Sequence, residues 1–141
     1  MTSTDHAAVV ETHAAVLFFV GDRAYKLKKP VDLGFLDFRR RSDREAVCHR
    51  EVELNRRMAP DVYLGVADVR GPDGEACDHL VVMQRMPAAR RLSTLIRSGT
   101  PVAEELRHVA RMLAYLDATG STSVAKFMTR VTSLSSNADP R

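Results

Sequence analysis

The spacing of apolar residues divides the first 87 positions into strands and one helix. Val9-Val10 is followed by Thr12-His13, then by the apolar run Ala14 to Val20. Gly21-Asp22 separates that run from Arg23 to Lys29. Two strand-like segments joined by two residues that accept positive φ predict a β-hairpin. In the second of these strands, period two puts Ala24, Lys26 and Lys28 on one face and Tyr25 and Leu27 on the other. Pro30 ends it. Asp32 to Phe38 reads as a loop with three apolar anchors, Leu33, Phe35 and Phe38.

From Ser42 to Met58 the period changes to that of a helix. Ser42 and Glu45 fit a capping box, and the helix stops before Pro60. Val47, Leu54 and Met58 make an apolar stripe with Glu51 in its middle. A carboxylate on a buried helix face is costly unless a cation meets it, and Lys26 is the cation the preceding strand offers. Lys28 lies on the same face and is the alternative. Glu53 falls on the wrong side of the helix.

Asp61 to Val69 reads as a loop into a strand and His79 to Met86 as another strand, either side of the Gly71-Pro72-Asp73-Gly74 turn. Gly65 also reads as a turn residue. Arg91 to Arg97 predicts a short helix closed by Gly99. Thr100 and Pro101 are placed to start the next one, with Val102, Leu106, Val109, Leu113 and Leu116 as its apolar stripe and Gly120 as its stop. Val124, Phe127, Met128, Val131 and Leu134 could make one weak helix in the Ser- and Thr-rich tail. The order β-β-β-α-β-β followed by helices is an α+β arrangement: an antiparallel sheet with one inserted helix.

Composition changes this picture little. The chain has 141 residues, 45% hydrophobic and 28% charged, an ordinary globular balance for one modest core. No apolar run approaches the roughly 20 residues of a membrane span, so no membrane association is expected. Met1 to His6 lacks the pattern of a secretory signal, and the expected location is cytoplasmic. A net charge of +3 is well short of a nucleic-acid signature. The densest basic cluster, Arg39-Arg40-Arg41 with Arg44, reads as a solvated loop or as a patch facing phosphate. Cys48 and Cys77 with His49 and His79 suggest metal only weakly, since the adjacent Cys48 and His49 have the wrong helical spacing for one site, and no metal ligands are assigned. Two cysteines make no disulfide framework.

Several blocks together carry a resemblance. They are Glu11-Thr12-His13, Tyr25-Lys26-Leu27-Lys28-Lys29-Pro30, Phe35-Leu36-Asp37-Phe38, Glu51 to Arg57 and Ala59 to Val66. Over roughly residues 9–117 the chain resembles the N-terminal part of bacterial aminoglycoside-phosphotransferase-like proteins. Within that group it looks closest to those fused to a P-loop ATP-binding domain. The resemblance implies the small lobe of a protein-kinase-like fold over 9–87. Before it would come a flexible N-terminus, 1–8. After it would come a hinge and the first helices of a truncated large lobe, 88–120, and a poorly ordered tail, 121–141.

By the same resemblance, ATP is the ligand, and Mg²⁺ enters only with the nucleotide. Lys26 would hold the α- and β-phosphates, and Glu51 would hold Lys26. Thr12 and His13 would lie at the tight connection over the phosphates, without the glycines of a Gly-rich loop. Backbone groups around Gln84 and Met86 would meet the adenine, and Met83 and Met86 would line core and cleft. The acid that orients the acceptor and the Asn and Asp that hold Mg²⁺ belong to a His-Gly-Asp type loop and a later strand. After Met86 the acids here are Glu104, Glu105, Asp117 and Asp139, none in such a loop. The expectation is a half-site with no catalytic residues, inactive alone. Its partners would be nucleotide and a separate large-lobe chain or a second copy. The alternative is a protein-binding module or a relic, docking through Leu106 and Leu113.

Overall fold

The computed structural model describes residues 8–118, which divide into two compact units between Met86 and Pro87. The first unit is a five-stranded antiparallel sheet with one helix. Its strands are β1 (Ala8–Glu11), β2 (Ala15–Val20), β3 (Arg23–Lys28), β4 (Tyr63–Arg70) and β5 (Ala76–Gln84), and its helix is α1 (Arg41–Arg56). The sheet order is β1-β2-β3-β5-β4.

The predicted hairpin forms, with Val20 opposite Arg23. Only Gly21 takes a positive φ, 55°; Asp22 does not. In the next ladder Lys26 lies opposite Val81 and Ala24 opposite Met83. Directly paired residues of an antiparallel sheet point to the same face. Val81 is completely buried and packs with Cys48 and Val52 of α1, with Tyr63, Val66 and Met83 around them. Burying a valine side chain in this way contributes about 1.5–3 kcal/mol. The register therefore brings Lys26, and Lys28 two residues on, to the face that α1 covers.

α1 starts one residue before Ser42. Its N-cap is Arg40, with no side-chain capping bond, so Ser42 lies in the first turn and the capping box does not form. The helix ends at Arg56, and the amides of Arg57 and Met58 close the turn on Leu54 and Asn55. Its buried line is Arg44, Cys48 and Val52, one helical step from the expected Val47, Leu54 and Met58, which are half-buried. Of the three expected loop anchors only Phe38 is buried; Leu33 and Phe35 are exposed. Gly65 is no turn residue. It lies inside β4, where the pairing slips between Tyr63 and Gly65 at a β-bulge. β5 begins three residues earlier than expected, at Ala76, and ends at Gln84.

The second unit contains a 3₁₀ turn (Ala88–Arg90), α2 (Leu92–Arg97) and α3 (Ala103–Ala118). Past α2, Gly99 has φ +72°. Its amide meets Ile96 O, and that of Thr100 meets Leu95 O, both at 3.0 Å. These two bonds form a Schellman motif, which needs a residue in the left-handed region. Gly99→Ala is expected to destabilise this unit by about 1 kcal/mol. Hydrogen exchange at the Gly99 and Thr100 amides would report it, and unchanged protection would refute it. α3 starts at Ala103, two residues later than the sequence suggests, because Val102 O accepts its first bond from Leu106. Thr100 Oγ1 is engaged with Ser98 Oγ. Of the expected stripe, Leu116 is buried, while Leu106 and Val109 are exposed. The expected stop at Gly120 and the weak helix beyond it lie outside the described residues. Among the described residues no helix is long and apolar enough to cross a membrane.

Candidate functional site

Glu51 projects from the third turn of α1 into the space over β3. Each of its two oxygens is taken by a different lysine. Lys26 Nζ donates to Oε1 at 2.9 Å and Lys28 Nζ to Oε2 at 2.6 Å. The expected pair is therefore a triad, and the sequence alternative between the two lysines resolves into both. Burial raises the proton affinity of Glu51. The charges of Lys26 and Lys28 and their hydrogen bonds together outweigh that, and the carboxyl titrates below its ordinary value. Close by, burial and then the charge of Glu51 push the Tyr63 phenol up, and burial raises the Cys48 thiol. The triad carries a net positive charge inside a partly dry site, an arrangement that attracts an anion.

The two lysines differ in access. The side chain of Lys26 keeps 29% of its exposure and that of Lys28 only 6%. Lys28 Nζ also lies 5.4 Å from the centroid of the Phe38 ring, a cation–π contact. Phe38 is held there from two sides. Its amide donates to Val31 O, and its carbonyl accepts from Arg44 Nη1, each at 2.8 Å.

Thr12 and His13 do make the tight β1–β2 connection. The Thr12 amide and Oγ1 both donate to Ala15 O, and the Ala15 amide donates back to Thr12 Oγ1. His13 is exposed. Ala15 pairs with Lys28, so this turn lies at the Lys28 end of β3. Gln84 pairs with Arg23 at the opposite end. The Gln84 amide is already bound to Val62 O, and its side-chain oxygen accepts from Arg23 Nη1 at 2.6 Å. The Arg85 amide is bound to Asp22 O. Met86, 59% exposed, is the second residue past β5, and among the described residues its backbone groups have no partner. Met83 belongs to the core.

A second polar cluster joins the basic run Arg39 to Arg44 to acids and a histidine that the sequence did not pair with it. Arg44 is buried, with Nε on Asp78 at 3.0 Å and Nη1 on the Phe38 and Arg39 carbonyls. His79, also buried, joins Asp68 through Nδ1 at 3.0 Å and Arg41 through Nε2 at 3.1 Å. An arginine only donates, so Nε2 accepts and Nδ1 carries the proton toward Asp68. Arg39 pairs with Asp32 and Asp37, and its side-chain hydrogen bond holds the Asp37 carboxyl down to about 2. Of the basic cluster only Arg44 is buried; Arg39, Arg40 and Arg41 are exposed, as a solvated loop requires, although Arg39 and Arg41 already have acidic or imidazole partners. The clue in the sequence was the acidic spacing Asp68, Asp78 opposite the start of the helix, visible only once the β4–β5 register is known. Among the described residues no group of His, Cys, Asp and Glu is spaced to hold a metal ion.

No family model matches the chain, and no solved structure matches it. It is similar to the uncharacterized protein Rv2004c of Mycobacterium tuberculosis and the uncharacterized protein Mb2027c of Mycobacterium bovis. It is 45% identical to each over 106 residues. The match covers 75% of this chain and 21% of each relative, so the chain spans about a fifth of the length of the curated relatives it matches.

Proposed function

We propose that residues 8–86 form the phosphate-binding half of an ATP site in a kinase-like small lobe. The observation that carries this reading is the Glu51 carboxylate, shared between Lys26 and Lys28 on the face where α1 meets the sheet. A five-stranded antiparallel sheet with one helix inserted after its third strand is compatible with such a lobe. The order of features along β3 also supports it. Met86, with its unengaged backbone groups, follows the Arg23 end; Lys26 is central; the Thr12-His13 turn is at the Lys28 end. An extended nucleotide would place its base by Met86 and its phosphates by Lys26. In this reading Lys26 donates to the phosphates, and Glu51 keeps its ammonium on this face of the sheet until the nucleotide arrives. Mg²⁺ would arrive with the nucleotide. Transfer also needs a carboxylate to orient the acceptor hydroxyl and ligands for that Mg²⁺. Residues 8–86 position none for that purpose, so this segment binds without transferring.

Isothermal titration of the folded chain with Mg-ATP tests the reading. Binding in the high-micromolar range is expected, lost in Lys26→Met and in Glu51→Gln. No heat from folded wild-type chain, or binding indifferent to both substitutions, would refute it.

A further inference from the structure

We propose that the two lysines divide the work: Lys28 is the positioning residue that fixes Glu51, and Lys26 is the exchangeable cation that passes from Glu51 to the phosphates. The first half stands on packing alone; the second rests on the nucleotide reading above.

Lys28 is enclosed. Its ammonium has Glu51 Oε2 at 2.6 Å on one side and the Phe38 ring on another. The ring cannot easily withdraw, because Arg44 of the same helix holds the Phe38 carbonyl and is itself tied to Asp78. To leave Glu51, Lys28 would have to strand a charge beside an aromatic face, where its 6% exposure leaves little room for solvent to replace the carboxylate. Lys26 has the longer bond, on the other oxygen, and a side chain nearly five times as exposed, 29% against 6%. Among the described residues Glu51 is its only charged partner. When Lys26 turns to a phosphate, Oε2 is still held by Lys28, so the carboxylate neither swings nor loses its counter-charge. A single-lysine site would lose both at once. The second lysine thus lets the site exchange partners without α1 shifting on the sheet.

Two measurements decide this. The first needs no nucleotide: acid unfolding of the wild-type chain and of Lys26→Met, Lys28→Met and Lys28→Arg. The groups facing Glu51 are Lys26 and Lys28 from β3 and Tyr63 from β4, with Cys48 beside it on α1 and Asp78 beyond. Of these carboxyls, Glu51 is the one whose ionised form the lysines hold. Lys28→Met is expected to raise the midpoint of acid unfolding by about half a pH unit or more, since Glu51 then protonates earlier. Lys26→Met should raise it by less than half as much, and Lys28→Arg should restore most of the loss. A shift in Lys26→Met equal to or larger than that in Lys28→Met overturns the anchor, as does failure of Lys28→Arg to recover it. A packing defect alone would lower stability by the same amount at every pH, whereas loss of the Glu51 anchor lowers it at neutral pH and progressively less on acidification, so urea midpoints of wild type and Lys28→Met measured across that range separate the two.

The second measurement follows the side-chain carbon signals of both lysines in the wild-type chain during titration with Mg-ATP. The Lys26 signal should move to saturation while that of Lys28 stays. Movement of Lys28, or of both alike, overturns the division even if Lys28→Met does not fold. If the folded chain binds no Mg-ATP, the nucleotide reading and the exchange fall together, and acid unfolding still decides the anchor.

Discussion

Glu51→Gln is expected to lower the unfolding free energy at neutral pH by about 3 kcal/mol, the low end for breaking a buried ion pair, since Glu51 keeps some access to water. The loss comes less from the missing attraction than from what is left behind. Lys28 would remain beside the Phe38 ring with a neutral amide where its counter-charge was. Gln keeps the size and one acceptor oxygen, so the shape of the site is little changed. The pH dependence separates charge from shape. Because the folded carboxyl titrates below its ordinary value, Glu51 contributes stability that is complete above the unfolded carboxylate range and lost as pH falls through the folded one. The difference between wild type and Glu51→Gln should therefore be full at pH 7 and shrink toward zero on acidification. Urea midpoints measured across that range would show it. A difference that stays constant down to acid pH would mean the triad charges contribute nothing.

Arg44→Met is expected to cost as much or more, about 3–5 kcal/mol, because one buried guanidinium serves an acid and two carbonyls. Without it, Phe38 O loses its donor in a buried position and Arg39 O loses one in a partly buried position. Asp78 keeps only the amide of His79. Methionine fills much of the volume but satisfies none of these groups. The damage should also spread along one path. The loop that carries Phe38 loses its tie to α1, so amide exchange at Phe38 should accelerate before exchange in β5 does. Urea unfolding gives the total, and hydrogen exchange gives the order. A loss below 1 kcal/mol would show that water replaces the guanidinium freely.

The sequence made the sheet readable because its signals are local. The Gly21-Asp22 turn, the period-two lysines and the Gly71 to Gly74 turn each act over a few residues. The Lys26–Glu51 pairing was legible for a related reason: a carboxylate within an apolar stripe demands a cation, and a strand lysine was near in the chain. The helix face was harder. Val47, Leu54 and Met58 drew the stripe toward the larger residues, whereas the surface that packs is Arg44, Cys48 and Val52. An arginine and a cysteine are poor markers of a buried line, and the arginine is inside only because Asp78 meets it. That partner depends on the β4–β5 register, and so does the Asp68–His79–Arg41 chain. Neither is a spacing along the sequence. The cap failed for a smaller reason, one residue of helix at Arg41 that removed Ser42 from the position where its hydroxyl could act.

Arg56, the last residue of α1, donates from Nε to Tyr63 O and from Nη2 to Leu64 O, at the bulge of β4. β4 is one border of the sheet. A foreign strand seeking to extend the sheet there would find two successive acceptors already occupied and a kinked backbone, and it would have to evict a charged side chain to begin pairing. Growth by strand addition is thus discouraged on the side next to the helix. The residue that ends α1 thus occupies acceptors at the start of a border strand eight residues long, where pairing with another chain would begin.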